Sequence, residues 1–370
     1  MSWIIAARRT AVVPQGGAFR RLEIHDLAAP VIRACLADAG LRPEDVDEVI
    51  LSNALGAGGN PARLAALAAG LPQHVAGLTI DRQCAGGLDA VLLAHALIAS
   101  GQARIVIAGG AESHSRRPLR LRTDPKGGPP APYDRPPFSP FPTRDPDLHA
   151  AAAALAERLG ISRAKQDAWA AASHAKALAA KDRLRAEIVP LQGQDHDPFT
   201  RVLTPALAAR ARPITGTGVI SGTISGTITP ANAAVAADAA AFVVVSAAPL
   251  GPNPLRLLGG KTLGAAPDDP GLAPIAAMLA VLGATGTNPD SLSQAEIMEA
   301  YAVQALACVQ GAGLDPAIVN PGGGALARGH PIGASGAILA VRLFHDLQQG
   351  RGLAAIAAAG GIGTAMVVER

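Results

Sequence analysis

The chain has 370 residues, of which 49% are hydrophobic and 3% aromatic, and its formal net charge is +3 at pH 7. This length is enough for a large core, while so few aromatic side chains and no helix with a basic stripe argue against nucleic-acid binding. No apolar run is long enough to span a membrane. The three cysteines lie far apart, which excludes a disulfide framework or a cysteine-rich zinc site. No signal-peptide pattern precedes the first strand-like run, so we expect a cytoplasmic protein without a metal.

Strand-like and helix-like segments alternate through the first third of the chain. Predicted strands cover Trp3–Ala7, Val46–Leu51, Gly77–Ile80 and Ile105–Ala108, and predicted helices cover Asp26–Ala39, Pro61–Ala69 and Leu88–Ser100. Each predicted helix is followed by a glycine, the residue that most often ends a helix. This alternation predicts an α/β fold with a largely parallel sheet covered by helices.

The pattern changes in the middle of the chain. Ten prolines fall between Ser115 and Pro146, which predicts an ordered excursion or a mobile flap with neither strand nor helix. Ser162 is a good N-cap for a helix over Arg163–Lys181. A Gly/Ser/Thr-rich segment at Gly216–Ile228 then predicts a loop that leads to a buried strand at Ala240–Val245.

An internal repeat organises the whole sequence. Gly87 to Gly101 and Gly336 to Gly350 have the same spacing, and in both cases a strand-like run and a Gly-Gly pair follow. The repeat predicts two similar α/β halves, the first of them interrupted by the proline-rich insertion.

Cys84 is the first candidate for chemistry. It lies between a predicted strand and a long predicted helix, followed by Ala85-Gly86-Gly87. Backbone N–H groups and the helix dipole at such a position lower the pKa of a thiol. The competing interpretation is a small buried hydrophobe, which we favour for Cys35 and Cys308.

His330 is the second candidate, because it stands between Gly329 and Pro331 at the start of another predicted helix. If the two halves lie side by side, both helix starts could face one site. A Cys–His pair is the smallest arrangement for thiolate acyl transfer. A dinucleotide site is excluded, since no G-x-G-x-x-G lies between a strand and a helix.

Several runs of residues together resemble the thiolases. They are Asn60-Pro61-Ala62-Arg63, Arg82-Gln83-Cys84-Ala85-Gly86-Gly87-Leu88, Ala108-Gly109-Gly110-Ala111-Glu112-Ser113 and Gly329-His330-Pro331-Ile332-Gly333-Ala334-Ser335-Gly336. The resemblance covers nearly the whole chain in order. It implies a five-layered αβαβα fold of two similar halves with an inserted loop domain. It also implies a homodimer or homotetramer that acts on acyl-CoA and CoA without a tightly bound cofactor.

The resemblance also implies a division of the chain. Residues 1–115, completed by about 230–248, would form the N-terminal half, and 249–370 the C-terminal half. Residues 116–229 would form the loop domain that covers the CoA.

The implied mechanism is a ping-pong acyl transfer. Cys84 attacks a thioester and His330 activates the thiol. The acyl group then passes to CoA in thiolysis of a 3-ketoacyl-CoA, or to a second thioester in Claisen condensation. Gly361 is expected to support the oxyanion-hole loop.

The sequence departs from the family pattern at the chemistry. Ala357 stands where the family has a second cysteine as acid/base, and Met298 stands where it has an oxyanion-hole asparagine. Alanines around Ala151–Ala153 and Asn232-Ala233-Ala234 also lack family polar groups. Glu299 and Cys308 are candidate substitutes.

These departures leave alternatives open. An acyl-Cys84 enzyme could instead hydrolyse thioesters, condense with an acceptor activated by decarboxylation, or transfer the acyl group to a non-CoA acceptor. A further alternative is a non-catalytic subunit that binds CoA or a partner.

Overall fold

The computed structural model of the chain describes residues 1–56, 58–214 and 226–370. The strands are β1 (Ser2–Arg9), β2 (Val13–Pro14), β3 (Glu48–Ser52), β4 (Ala76–Ile80), β5 (Ile105–Glu112), β6 (Leu121–Arg122), β7 (Ala131–Pro132), β8 (Ala237–Ser246), β9 (Leu255–Gly264), β10 (Leu292–Ile297), β11 (Arg351–Ala358) and β12 (Ile362–Glu369). The helices are α1 (Ile24–Ala39), α2 (Pro61–Ala68), α3 (Gly86–Ala99), α4 (Leu148–Arg158), α5 (Arg163–Ala179), α6 (Lys181–Arg185), α7 (Pro205–Ala209), α8 (Ala273–Thr285), α9 (Ala302–Gly311), α10 (Ala325–Arg328) and α11 (Ile332–Asp346).

The main sheet repeats one topology on either side of a central pair. Its order is β10-β11-β12-β9-β1-β8-β5-β3-β4. Strands β9 and β1 pair antiparallel at the centre, and outward from them β12-β11-β10 mirrors β8-β5-β3. The strand β10–β11 pair and the β3–β5 pair are both parallel. The sheet therefore consists of two similar halves joined edge to edge.

The helices and the two halves of the sheet stack in five layers. Helices α1 and α2 pack on the outer face of the first half, and α8 and α9 pack on the outer face of the second. Helices α3 and α11 lie between the halves in one shared core. Alternation along β8 shows how the strands serve both faces, because Val243 contributes to the shared core and Phe242 to the outer one. The predicted five-layered α/β fold is confirmed.

Most predicted elements of the first third agree with the structure to within a few residues, and β5 extends to Glu112. The proline-rich stretch differs, since it contains the short hairpin β6–β7 and a 3₁₀ turn at Pro142–Arg144. Tyr133 closes this hairpin by donating its backbone N–H to the carbonyl of Arg120. Of the predicted loop at Gly216–Ile228, residues 216–225 lie outside the described residues. Within the described ranges, no helix is long and apolar enough to cross a membrane.

The starts of α3 and α11 touch through glycines. A Cβ placed on Gly336 would lie 2.4 Å from the backbone N of Leu88, and a Cβ on Gly87 would lie 2.7 Å from the backbone N of Ala337. These distances are too short for any side chain. The close approach therefore requires glycine on both helices.

We expect Gly336→Ala to destabilise the protein by about 1–3 kcal/mol, since the added methyl group must push backbone atoms apart. The matched control is Gly283→Ala in α8, where an added Cβ meets no atom within 4 Å. Replacing glycine by alanine in a helix favours folding by roughly 1 kcal/mol. Chemical denaturation of both variants measures the effect, and equal stability of the two would contradict the packing argument.

Candidate active site

Cys84 lies on a tight turn between β4 and α3. A 3₁₀ turn over Gln83–Ala85 connects the two elements. Gln83 has a φ of 47°, in the left-handed region, and its backbone N–H donates to Asp81 Oδ1 at 2.8 Å. This strained turn is stabilised by the Asp81 carboxylate and presents the thiol at the start of the helix.

His330 faces Cys84 from the segment that precedes α11. Its backbone N–H donates to the carbonyl of Val235 at 2.8 Å, and its Nε2 lies 3.1 Å from Cys84 Sγ. On the other side of the ring, Nδ1 lies 2.6 Å from Ser335 Oγ, while the Ser335 hydroxyl donates to the carbonyl of Pro331. Nδ1 is therefore assigned as the donor to Ser335, which leaves the Nε2 lone pair directed at the thiol.

Burial keeps this pair neutral. It raises the pKa of the Cys84 thiol to about 12, and the nearby Glu112 carboxylate acts in the same direction. Burial also lowers the pKa of His330 to about 3. The prediction that the helix start lowers the pKa of Cys84 is therefore wrong for the free protein, because desolvation outweighs the local backbone groups.

A cavity of about 120 Å³ opens beside the pair. Its lining is dominated by small and apolar residues, and α4 contributes one wall. The lining residues are Cys84, Leu148, Ala151, Ala152, Leu155, Ala234, Asp269, Pro270, Gly271, Ala300, Tyr301, Gln304, His330, Ala357, Ala358 and Ala359. An apolar cavity next to a thiol suits an acyl chain better than a charged group.

Two backbone N–H groups near the sulfur act against burial. Those of Cys84 and Ala359 favour the thiolate and partly oppose the effect of burial on its pKa. Gly361 lies outside the cavity, in the turn between β11 and β12, where its φ is 76°. A Cβ placed on Gly361 would lie 2.5 Å from the carbonyl oxygen of Ala266 and 2.7 Å from that of Ala265. No side-chain pattern could have indicated the Ala359 group, because it belongs to the backbone.

The structure does not bring Glu299 into the cavity. Its carboxylate is buried and accepts hydrogen bonds from Trp169, Ser173, Asn320 and the backbone N–H of Leu326. Both carboxylate oxygens accept hydrogen bonds, so Glu299 connects its own segment to α5 and α10 and has a structural role.

The other three positions noted in the sequence lie in the core or in the cavity wall. Cys308 is fully buried behind the cavity, where its thiol donates to the carbonyl of Gly271. Burial raises its pKa to about 12. Met298 packs in the shared core, and Ala357 lines the cavity without a polar group.

Tyr301 is a cavity residue that sequence reasoning missed. Its hydroxyl lies 3.1 Å from Nδ1 of His149. The sequence signal for it is its position two residues after Glu299 and three after Met298. No group of three or more His, Cys, Asp or Glu side chains that could hold a metal occurs in the part of the chain that the structure describes.

The chain matches two family models. The model described as the thiolase N-terminal domain covers residues 2–248, and the one described as the thiolase C-terminal domain covers residues 255–370. Protein YhfS of Bacillus subtilis is 41% identical over 379 residues, which cover 99% of this chain and 98% of that protein. The acetyl-CoA acetyltransferase of Cupriavidus necator is 37% identical over 398 residues, with coverage of 99% and 98%.

Solved structures give the same result. The crystal structure of the Bacillus anthracis acetyl-CoA acetyltransferase has a TM-score of 0.90 and 30% identity, covering 100% of this chain and 98% of that chain. The Acat5 thiolase from Ascaris suum, solved in complex with coenzyme A, also has a TM-score of 0.90, with 28% identity and coverage of 100% and 99%. Two family models that together span almost the full length, and a full-length relative at 41% identity, show that the chain belongs to the thiolase family.

Proposed function

We propose that Cys84 is the covalent nucleophile of this enzyme and that His330 is the base that activates it. The protein is a thiolase-type acyl-CoA C-acyltransferase that acts on CoA thioesters. The observation that carries the proposal is the 3.1 Å contact between Cys84 Sγ and the unprotonated Nε2 of His330 beside an apolar cavity.

The first half-reaction follows from this geometry. The thiol proton passes to His330 Nε2 while the sulfur lone pair attacks the thioester carbonyl. The tetrahedral intermediate collapses, its C–S bond to CoA breaks, and the departing thiolate takes the proton from His330. The backbone N–H groups of Cys84 and Ala359 stabilise negative charge at this position, and we propose that they donate to the carbonyl oxygen of the acyl group bonded to the sulfur.

The second half-reaction transfers the acyl group from Cys84. In thiolysis, Cys84 first attacks the 3-keto carbonyl of a 3-ketoacyl-CoA instead, and the carbon–carbon bond breaks to leave the enolate of an acyl-CoA, which is protonated. CoA then attacks the acyl-enzyme and releases a shortened acyl-CoA. In condensation, the enolate of a second thioester attacks it and forms a 3-ketoacyl-CoA. Decarboxylative condensation is an alternative that would tolerate Ala357, because loss of CO₂ makes the carbanion without a base.

We also propose that residues 116–229 form a loop domain that covers the CoA, between the half at 1–115 with about 230–248 and the half at 249–370. Helix α4 of this segment supplies one wall of the cavity through Leu148, Ala151, Ala152 and Leu155. The substrate's acyl end would therefore lie between this segment and the nucleophile loop.

A cytoplasmic homodimer or homotetramer is the assembly that we propose. Strand β4 lies at the edge of the sheet and α2 packs beside it. Large apolar side chains remain exposed on both, namely Leu64 at 54%, Leu67 at 46% and Leu78 at 45%. An exposed edge strand beside an apolar surface is suited to pairing with a second copy.

The acyl-enzyme should be visible by intact-protein mass spectrometry. Brief incubation with a panel of acyl-CoAs and 3-ketoacyl-CoAs is expected to add the mass of one acyl group, and Cys84→Ala is expected to add none. Absence of an adduct with every thioester, while CoA still binds, would contradict the nucleophile and favour the non-catalytic alternative.

The alkylation rate of Cys84 by iodoacetamide should rise about tenfold per pH unit from pH 6 to pH 9. The pKa of the thiol is raised to about 12, so the reactive thiolate is a minor form that grows with pH throughout this range. His330, with its pKa lowered to about 3, stays neutral and adds no inflection. Cys84→Ala gives the background from Cys35 and Cys308, which are fully buried. A plateau above pH 7 would instead indicate a preformed thiolate.

Replacing Leu67 and Leu78 together by lysine should separate the subunits, because the proposed interface loses two apolar contacts and gains two charges. Light scattering is expected to show a dimer or tetramer for the natural sequence and the 37.2 kDa monomer for the variant. Val202→Lys, at another exposed apolar position, is the control. A monomeric natural protein would refute the assembly.

A further inference from the structure

The cavity has few polar side chains that are free to move a proton. Cys84 and His330 are already engaged in forming the acyl-enzyme. Asp269, at the cavity wall, forms an ion pair with Arg158. After acylation Cys84 carries the acyl group and His330 is directed at its sulfur, while one oxygen of the Asp269 carboxylate is paired with Arg158.

Gln304 is also committed. Its Oε1 accepts from the backbone N–H of Ala300, and its Nε2 donates to Cys308 Sγ. In any case, a side-chain amide does not act as an acid or a base near neutral pH. Among the described residues that line the cavity, the Tyr301 hydroxyl is therefore the side-chain group that can give and accept a proton apart from the nucleophile pair and the Asp269–Arg158 ion pair.

Tyr301 has a partner that can take its proton. The Tyr301 hydroxyl lies 3.1 Å from His149 Nδ1, and the two rings meet edge to face with centroids 5.5 Å apart. Tyr301 caps the start of α9, and His149 lies in the first turn of α4, where Asp147 accepts its backbone N–H. Both rings are thus held by helix ends.

The environment of Tyr301 argues against a free tyrosinate. Burial raises its pKa well above the usual range, and a negative charge on Cys84 would raise it further. Such a phenol can still pass protons if it receives one as it gives one away. A histidine nitrogen at hydrogen-bond distance makes this exchange feasible.

We propose that Tyr301 and His149 form the proton relay that serves the carbon next to the thioester carbonyl of the second substrate. This inference rests on the proposed acyl-transfer function. In condensation, that carbon's proton moves to the Tyr301 oxygen as the Tyr301 proton moves to His149 Nδ1. The C–H electron pair becomes the enolate, which attacks acyl-Cys84 and displaces the cysteine thiolate.

Thiolysis uses the same steps in reverse. Cleavage of the carbon–carbon bond leaves its electron pair on the enolate carbon. Tyr301 protonates that carbon while His149 Nδ1 returns a proton to the tyrosine oxygen. No oxidant, metal or further reactant is needed for this balance. Tyr301 is the catalytic residue of the pair, and His149 is a positioning residue that acts through it.

Deuterium exchange into the thioester tests the relay directly. The enzyme is incubated in D₂O with the acyl-CoA that acylates Cys84 fastest, and mass spectrometry follows deuterium at the carbon next to the carbonyl. Acylation of Cys84 is measured on the same samples. General acid–base groups contribute about 10²–10⁴-fold, so Tyr301→Phe should lower exchange about 100-fold or more. Its acylation rate should stay within about threefold of the natural protein.

His149→Gln separates the relay from simple packing. Glutamine can accept the tyrosine's hydrogen bond but cannot take its proton, so exchange should fall at least about tenfold while acylation continues. The matched control is His74→Gln on the surface, outside the segment proposed to cover the CoA, and it is expected to leave exchange unchanged.

The outcomes distinguish this inference from the proposed function. Exchange that persists in Tyr301→Phe, or is absent from a natural protein that does acylate, overturns the relay alone. Failure to acylate Cys84 overturns the acyl-transfer proposal on which the relay depends. Loss of exchange with acylation retained in both relay variants supports it.

Discussion

The close contact between the starts of α3 and α11 is the constraint on which the site depends. Cys84 precedes one helix and His330 precedes the other, so a thiol-to-imidazole distance of 3.1 Å requires the helix starts to touch. Gly87 and Gly336 make this contact. Gly110 in β5 allows a second close approach to α11, because a Cβ there would lie 2.0 Å from the Gly333 carbonyl oxygen. The close backbone contacts between the two halves thus explain part of the high glycine content of the sequence.

A buried carboxylate stabilises the same junction. Glu112, at the end of β5, accepts the backbone N–H groups of Ala54, Leu55 and Gly333. It therefore links the first half to the start of the helix that follows His330. Burial raises its pKa to about 7, and these N–H groups oppose that shift. Its charge acts on the pKa of Cys84 in the same direction as burial, so the carboxylate that links these elements adds to the effect that keeps the thiol protonated at rest.

Much of the fold was predictable because the sequence repeats. Equal spacing in the two halves predicted related topologies, and the sheet order shows them on either side of the β1–β9 pair. The meeting of Cys84 and His330 followed from the same repeat. The charge state of the pair did not, since a helix start can be seen in the local sequence while desolvation depends on the whole surrounding structure.

The segment around Glu299 shows a second limit of sequence reasoning. Ala300 and Tyr301 line the cavity, whereas the Glu299 side chain turns into the core and binds Trp169 and Ser173. Neighbouring residues of a non-helical segment point in different directions, so proximity in sequence did not predict which one meets the substrate. The sequence suggested Glu299 as the functional residue, whereas Tyr301, two residues later, lines the cavity.

The proposed proton relay of Tyr301 and His149 lies on a different wall of the cavity from Cys84. The turn after β11 contributes only alanine side chains, while Tyr301 and His149 join the start of α9 to the start of α4. Helix α4 also forms an apolar wall of the cavity, so one element contacts the substrate and holds the partner of Tyr301. A displacement of α4 would therefore alter the fit of the acyl chain and break the hydrogen bond to Tyr301 together. In this arrangement proton transfer depends on the segment proposed to cover the CoA, which couples carbon–carbon chemistry to a bound substrate.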